Sequence, residues 1–121
     1  MNYVIVFIGG GLGSVARYAV GQLFKIKDAA AFPYATLTVN MASSFILGLL
    51  ASLLIQRTSS SNLWLLAAIG FCGGFSTFSA FTLELFNYLK NGMYGMAMLN
   101  IGVSVGGCLL ALWIGFMIGK N

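Results

Sequence analysis

Residues 73–81 read GGFSTFSAF, and they interrupt a stretch otherwise rich in Leu, Ala, Ile and Phe. Adjacent Gly73 and Gly74 weaken a helix. Ser76, Thr77 and Ser79 carry hydroxyls able to take over backbone hydrogen bonds at a local break. Phe78 and Phe81 stand three apart, so on a helix they face the same way. The rim of an aromatic ring is electropositive. A column of phenyl edges beside amide and hydroxyl donors can therefore hold a small anion without a fixed positive charge.

Suitable donors recur at helical spacing. Thr36, Asn40, Ser43 and Ser44 fall at i, i+4, i+7 and i+8, along one face, and Asn100 and Ser104 repeat the pattern at i and i+4. An Asn in hydrocarbon must find a hydrogen-bonding partner, on another helix or along a solvated path. Asn40 taken alone is open to both readings. Irregular backbone is tolerated at membrane depth only where it is buried in protein or lines a cavity, so the interrupted stretch at 73–81 favours the path.

Other chemistries lack their residues. The chain has no His, and outside the stretch that holds Glu84 its apolar segments contain no carboxylate. Neither a proton relay nor a transition-metal site follows from such a set, and the serines have no imidazole to serve as their base. The chain is not expected to be an enzyme. Cys72 and Cys108 sit in apolar segments, where a free thiol behaves as a small hydrophobe, and no disulfide is expected.

The elements that must position these residues follow from composition. Sixty per cent of the 121 residues are hydrophobic and 7% are charged, with a mean hydropathy of +0.95, the profile of a membrane protein. A span needs roughly 20 mostly apolar residues. Four are predicted: Tyr3 to Phe24, Pro33 to Gln56, Leu63 to Leu89, and Met93 to Gly119. The connections KIKDAA, RTSSSN and KNG are short and polar. The first span follows no basic n-region and precedes no cleavage pattern, so it is expected to be retained. Residues 1–121 are expected to form one four-helix transmembrane domain, all-α, with the third helix broken near its middle.

Six basic and two acidic residues give a net charge of +4. The basic residues are scattered, so the excess points to membrane edges and not to nucleic acid. Lys25, Lys27 and Lys90 lie beyond spans 1 and 3; Arg57 and Lys120 lie beyond spans 2 and 4. Orientation follows the Lys and Arg excess on the cytoplasmic side. A balance this close allows insertion both ways up and an antiparallel pair; a bias of one charge is the alternative. Arg17, about two turns inside span 1, is either an anion-attracting mouth or a topology anchor. Glu84 is expected to pair with a basic group near the membrane surface, and Asp28 to be solvated. Gly9 and Gly13, Gly10 and Ser14, Gly102 and Gly106, and Gly115 and Gly119 stand four apart. That spacing lets helix backbones approach closely in lipid and predicts a compact, multi-copy assembly.

The stretches GGGLGSVARY, FPYATLTVNMASSFILG, GFCGGFSTFSAFTLE and NIGVS, in this order and spacing, resemble the Fluc (CrcB) family of small bacterial fluoride channels. The resemblance runs through all four spans. It implies an antiparallel, dual-topology homodimer in the bacterial inner (plasma) membrane, with two pores permeated by fluoride and one structural sodium ion at its centre. By match to the family's motif, Asn40 is the pore asparagine and Phe78 and Phe81 are the paired aromatic residues. Ser79 and Ser104 belong to the polar track beside them. Backbone carbonyls of Gly73 and Ser76 from both subunits hold the sodium. Arg17 matches the basic residue near the vestibule and Glu84 the acidic residue after the aromatic motif. The chain departs from the family pattern at Ala35, Ser43, Ser76 and Ala80, the last removing a hydroxyl from the track. The implied function is passive fluoride efflux. A small proton-coupled multidrug exporter also has four short spans, but it needs a membrane-embedded acid in span 1, and MNYVIVFIGGGLGSVARYAVGQLF has none. A non-conducting assembly subunit is the other alternative, and it would leave the polar faces of spans 2 and 3 without a purpose.

Overall fold

A computed structural model describes residues 1–25, 31–54 and 61–121. Helix α1 spans Asn2–Leu23 and α2 spans Tyr34–Leu54. The third span begins as a π-helix, Trp64–Cys72, continues for one turn as α3, Gly73–Phe75, and resumes after a break as α4, Phe78–Lys90. Helix α5 spans Tyr94–Lys120. Each of the four spans is long and apolar enough to cross a membrane. A helix satisfies its own backbone groups, which is what hydrocarbon requires. The four spans run close to the predicted bounds. Lys27, Asp28 and Arg57 lie outside the described residues, as does the expected end of span 2 at Gln56.

Two helix pairs are zipped by glycine. Along α1, a Cβ at Gly9 would collide with the Leu66 carbonyl, and one at Gly13 with the Phe71 carbonyl. Gly70 and Gly74 answer from the third span: a Cβ at Gly70 would come within 2.9 Å of the Gly9 Cα. The second pair is α2 with α5, the most extensive helix contact in the fold. There Gly48 abuts the Leu112 carbonyl and Gly115 the Phe45 carbonyl. Lipid offers no hydrophobic drive between apolar helices, so close backbone packing of this kind holds the bundle together. Gly102 and Gly106 behave differently, for both are exposed with nothing near their missing Cβ.

Local bonds shape the start of the third span and the turn between α4 and α5. The Ser61 hydroxyl accepts from Trp64 N–H at 3.2 Å and caps the start of the third span. After α4 the chain turns through Gly92, whose φ of 72° is the left-handed conformation that suits glycine. Tight closure there, with Met93 N–H on the Tyr88 carbonyl at 2.8 Å, lays α5 beside α4. The most buried side chains are Val39 and Asn100, each 1% exposed. A fully buried amide between apolar helices marks where the polar interior begins.

Candidate anion site at the broken helix

The break falls at Ser76 and Thr77, not at the paired glycines. Gly73 keeps helical angles, φ −63° and ψ −36°, and Gly74 lies inside α3 against the Gly10 backbone. The expectation that the glycines loosen the helix is thus corrected: Gly74 serves close packing, and the extended residues are the ones whose backbone finds partners elsewhere. Ser76 has φ −78° and ψ 158°, and Thr77 has φ −151° and ψ 117°. Ser76 turns both its N–H, at 3.0 Å, and its hydroxyl, at 2.7 Å, back to the Cys72 carbonyl.

Asn40 closes the other side of the gap. Its Oδ1 accepts from Thr77 N–H at 2.8 Å, and its Nδ2 donates to the Thr77 carbonyl at 3.2 Å. A backbone N–H can only donate and a carbonyl can only accept, so these two bonds fix which end of the carboxamide is which. The Thr77 hydroxyl then caps α4, accepting from Ala80 N–H at 3.1 Å. Ser44 supports the arrangement from one turn along α2, donating to the Asn40 carbonyl at 2.8 Å. The polar face of span 2 therefore packs on the break.

A cavity of about 280 Å³ opens at this point, lined by Asn40, Ser44, Ser76, Thr77, Phe78, Phe81, Ser104, Val105 and Cys108. Phe78 and Phe81 lie with ring centroids 5.7 Å apart and planes inclined at 44°. Phe81 is 8% exposed and Phe78 75%, so one ring is seated in the bundle and the other stands at its open side. Ser104 reaches the cavity from α5 and donates to Asn100 Oδ1 at 2.9 Å. Among the described residues, no carboxylate, Lys or Arg lines the space. The wall supplies the Asn40 amide and phenyl edges, which suit a small anion, while the Ser44, Ser76 and Ser104 hydroxyl protons are engaged within the protein.

The predicted residues are not all gathered there. Asn40, Phe78, Phe81 and Ser104 share the cavity. Ser79 stands outside it, exposed, with its hydroxyl 3.1 Å from that of Thr77. Arg17 is half-buried at a separate cavity of about 120 Å³, with Gly21, Ala35, Thr36, Val39, Thr77 and Ala80. Ala80 thus faces Arg17 and not the phenyl pair. Gly73 and Ser76 line a third space with Ser43, Ser44, Leu47, Ala68 and Cys72. Because Thr77 N–H is taken by Asn40, the Gly73 carbonyl loses its i+4 donor.

Some contributors were not singled out from the sequence. Residue type marks Cys108 as a plain hydrophobe, yet it lines the main cavity. Its position one turn beyond Ser104, at i+4, was the available signal. Thr77 was seen only as a hydroxyl, whereas its peptide is the group Asn40 grips. Glu84 was expected to meet a cation; among the described residues its hydrogen-bond partner is the Thr36 hydroxyl. That hydrogen bond reaches from α2 to α4.

Fold and site together define a four-span membrane protein built around a broken third helix with an uncharged polar cavity. The family described as "CrcB-like protein, Camphor Resistance (CrcB)" matches residues 4–116. A Coxiella burnetii protein named "Fluoride-specific ion channel FluC" is 41% identical over 123 residues, covering 100% of this chain and 99% of its own length. Proteins of the same name are 43% identical over 116 residues in Gloeothece citriformis (96% of this chain, 89% of the relative) and 40% over 120 residues in Pyrococcus abyssi (98% and 95%). The chain belongs to the CrcB-like family.

Proposed function

We infer that this protein is a fluoride-selective channel of the cell membrane that lets fluoride leave the cell down its electrochemical gradient and so protects against fluoride toxicity. It is a multi-pass membrane protein and not an enzyme. The observation that carries the reading is the cavity in which the Asn40 amide, the Ser104 hydroxyl and the rings of Phe78 and Phe81 share one uncharged wall. Fluoride is small and strongly hydrated. A dry pore must replace its water with donors, yet hold it loosely enough for exit. Neutral dipoles and ring edges meet both demands. Relatives that carry this name along nearly the full chain support the same reading.

Asn40, Phe78, Phe81 and Ser104 are the pore residues in this proposal, Ser79 continues the polar track outside the cavity, and Arg17 draws anions to the vestibule. The working unit is an antiparallel homodimer of dual topology. Its support is an unfinished surface: Phe78 is largely exposed, and Gly73, Gly102 and Gly106 present bare backbone with no neighbour. Such a small-residue face suits a second copy, and the nearly balanced charges allow that copy to insert the other way up. The donor set at the break also fits a structural sodium. The released Gly73 carbonyl and that of extended Ser76, from each subunit, would hold it, as hard carbonyl oxygens hold a hard cation. It would tie the two breaks together.

The test uses purified protein in fluoride-loaded liposomes. Rapid fluoride release with negligible chloride release supports the reading. Release indistinguishable from protein-free liposomes overturns it.

A further inference from the structure

Thr77 occupies a position that no other residue shares. Among the described residues it is the single one lining both the Arg17 cavity and the Asn40 cavity. Its peptide is bound on both sides by the Asn40 carboxamide, and its hydroxyl caps the helix that carries Phe78 and Phe81. It is 8% exposed, so these bonds are sheltered from competing water.

Counting donors shows what the peptide grip does. A carboxamide has one carbonyl oxygen and two N–H bonds. Thr77 N–H engages the Oδ1, and the Thr77 carbonyl engages one N–H. One N–H is left, and Asn40 lines the cavity. The oxygen, which would repel an anion, is held on the backbone. A carboxamide without this grip could rotate and present oxygen and nitrogen alternately. The hydroxyl performs a second task. By accepting from Ala80 N–H it fixes the first turn of α4, and with it the angle at which Phe78 and Phe81 leave the break.

We propose that Thr77 is the positioning residue of the channel, the septum between vestibule and pore: its peptide orients the Asn40 amide with an N–H toward the anion, and its hydroxyl aims the phenyl pair. The proposal rests on the fluoride-channel reading for its flux measurements but not for its spectroscopic one. The role is positional, since Thr77 acts through Asn40 and the rings.

Two substitutions separate chemistry from bulk. Thr77→Val keeps the shape and removes the hydroxyl; Thr77→Ser keeps the hydroxyl and reduces the shape. Each variant is purified, checked by gel filtration for the elution of the wild type, and assayed for fluoride release per folded protein. Thr77→Val is expected to lose on the order of tenfold in rate, the effect of roughly one misdirected donor in the barrier. Thr77→Ser is expected to stay within about twofold, because the cap is restored. A septum that matters only by filling space would give the reverse order, and that result overturns the proposal. So does full activity in Thr77→Val.

Should Thr77→Val fail to fold, the wild-type protein still decides. With asparagine labelled by 15N and Asn40 assigned by its loss in Asn40→Asp, the ion-free spectrum should show one Nδ2 proton with the small temperature dependence of an internally bonded donor, the one held by the Thr77 carbonyl. The other should be the one that shifts on adding sodium fluoride, with sodium chloride as the control. An Nδ2 pair with equal, solvent-like temperature dependence would overturn the grip itself, whatever the protein transports. Wild-type liposomes that release no fluoride would instead overturn the channel reading and leave the ion-free spectrum as the judge of the grip.

Discussion

Among the described residues, Glu84 accepts a hydrogen bond from the Thr36 hydroxyl of α2, and its second oxygen is buried. The amide nitrogen of Asn100 is buried beside that oxygen, and the Asn100 oxygen is taken by Ser104. Thr36, Glu84, Asn100 and Ser104 therefore form a polar line that begins near the Arg17 cavity and ends in the phenyl-lined one. Each member is short of alternatives, because unsatisfied polar groups in a sheltered site are costly.

Glu84→Gln should destabilise the fold by about 1–3 kcal/mol, since the new Nε2 or the existing Asn100 amide must be left facing a donor. Thr36→Val should cost about 1 kcal/mol. The double variant should cost less than the sum, because both changes strike one network. Thermal unfolding in detergent measures all three. Strict additivity would show that the line is not coupled.

Asn40→Asp keeps the acceptor for Thr77 N–H but sets a second oxygen against the Thr77 carbonyl, 3.2 Å away in the native pair. Fluoride flux should fall at least tenfold, roughly 1.4 kcal/mol or more of barrier. Phe81→Ile removes a buried ring edge from the cavity and should lower flux by a similar factor. Both proteins should still elute as the wild type does. Normal flux in both would refute the pore assignment while leaving the fluoride reading standing.

Arg17 faces its own cavity, not the phenyl pair, so its influence is electrostatic attraction at a distance. Arg17→Gln should reduce flux several-fold at low fluoride and low salt. The deficit should shrink as ionic strength approaches about 0.15 M, where charges are screened beyond roughly 8 Å. A deficit independent of salt points to the topology-anchor role instead, which protease protection of inserted protein would reveal as altered orientation.

Glycine positions should divide cleanly. Gly48→Ala and Gly13→Ala place a methyl against a backbone carbonyl that cannot step aside, and should destabilise the fold by about 1–3 kcal/mol each. Gly102→Ala meets nothing within the protomer, so helix content and protomer melting should be unchanged while cross-linking between copies weakens. Loss of the protomer fold in Gly102→Ala would remove that face as the meeting surface.

The spans were legible because a hydropathic stretch of the right length has one solution in lipid. Their ends needed only the polar breaks at KNG and the neighbouring connections. The gathering of Asn40 with Phe78 and Phe81 was legible from helical spacing plus an interruption in span 3. What spacing could not give was which residue breaks. Glycine is the usual suspect, but Gly74 is held helical by the Gly10 backbone, a contact between residues 64 positions apart in the chain. Spacing likewise says nothing of the partner Glu84 has among the described residues, the Thr36 hydroxyl 48 positions earlier in the chain; Lys27 and Arg57 lie outside those residues. Cys108 escaped notice because residue type outweighed position.

The two glycine seams join main chain to main chain and ask almost nothing of side chains. The exposed apolar residues, from Tyr3 and Phe7 on α1 to Trp113 on α5, take no part in them. The outer coat can thus drift to suit bilayers of different thickness or lipid chemistry while the conduit stays in register. For the bundle itself, only a handful of methyl-free positions and one extended dipeptide must be inherited intact; the pore side chains are a separate requirement.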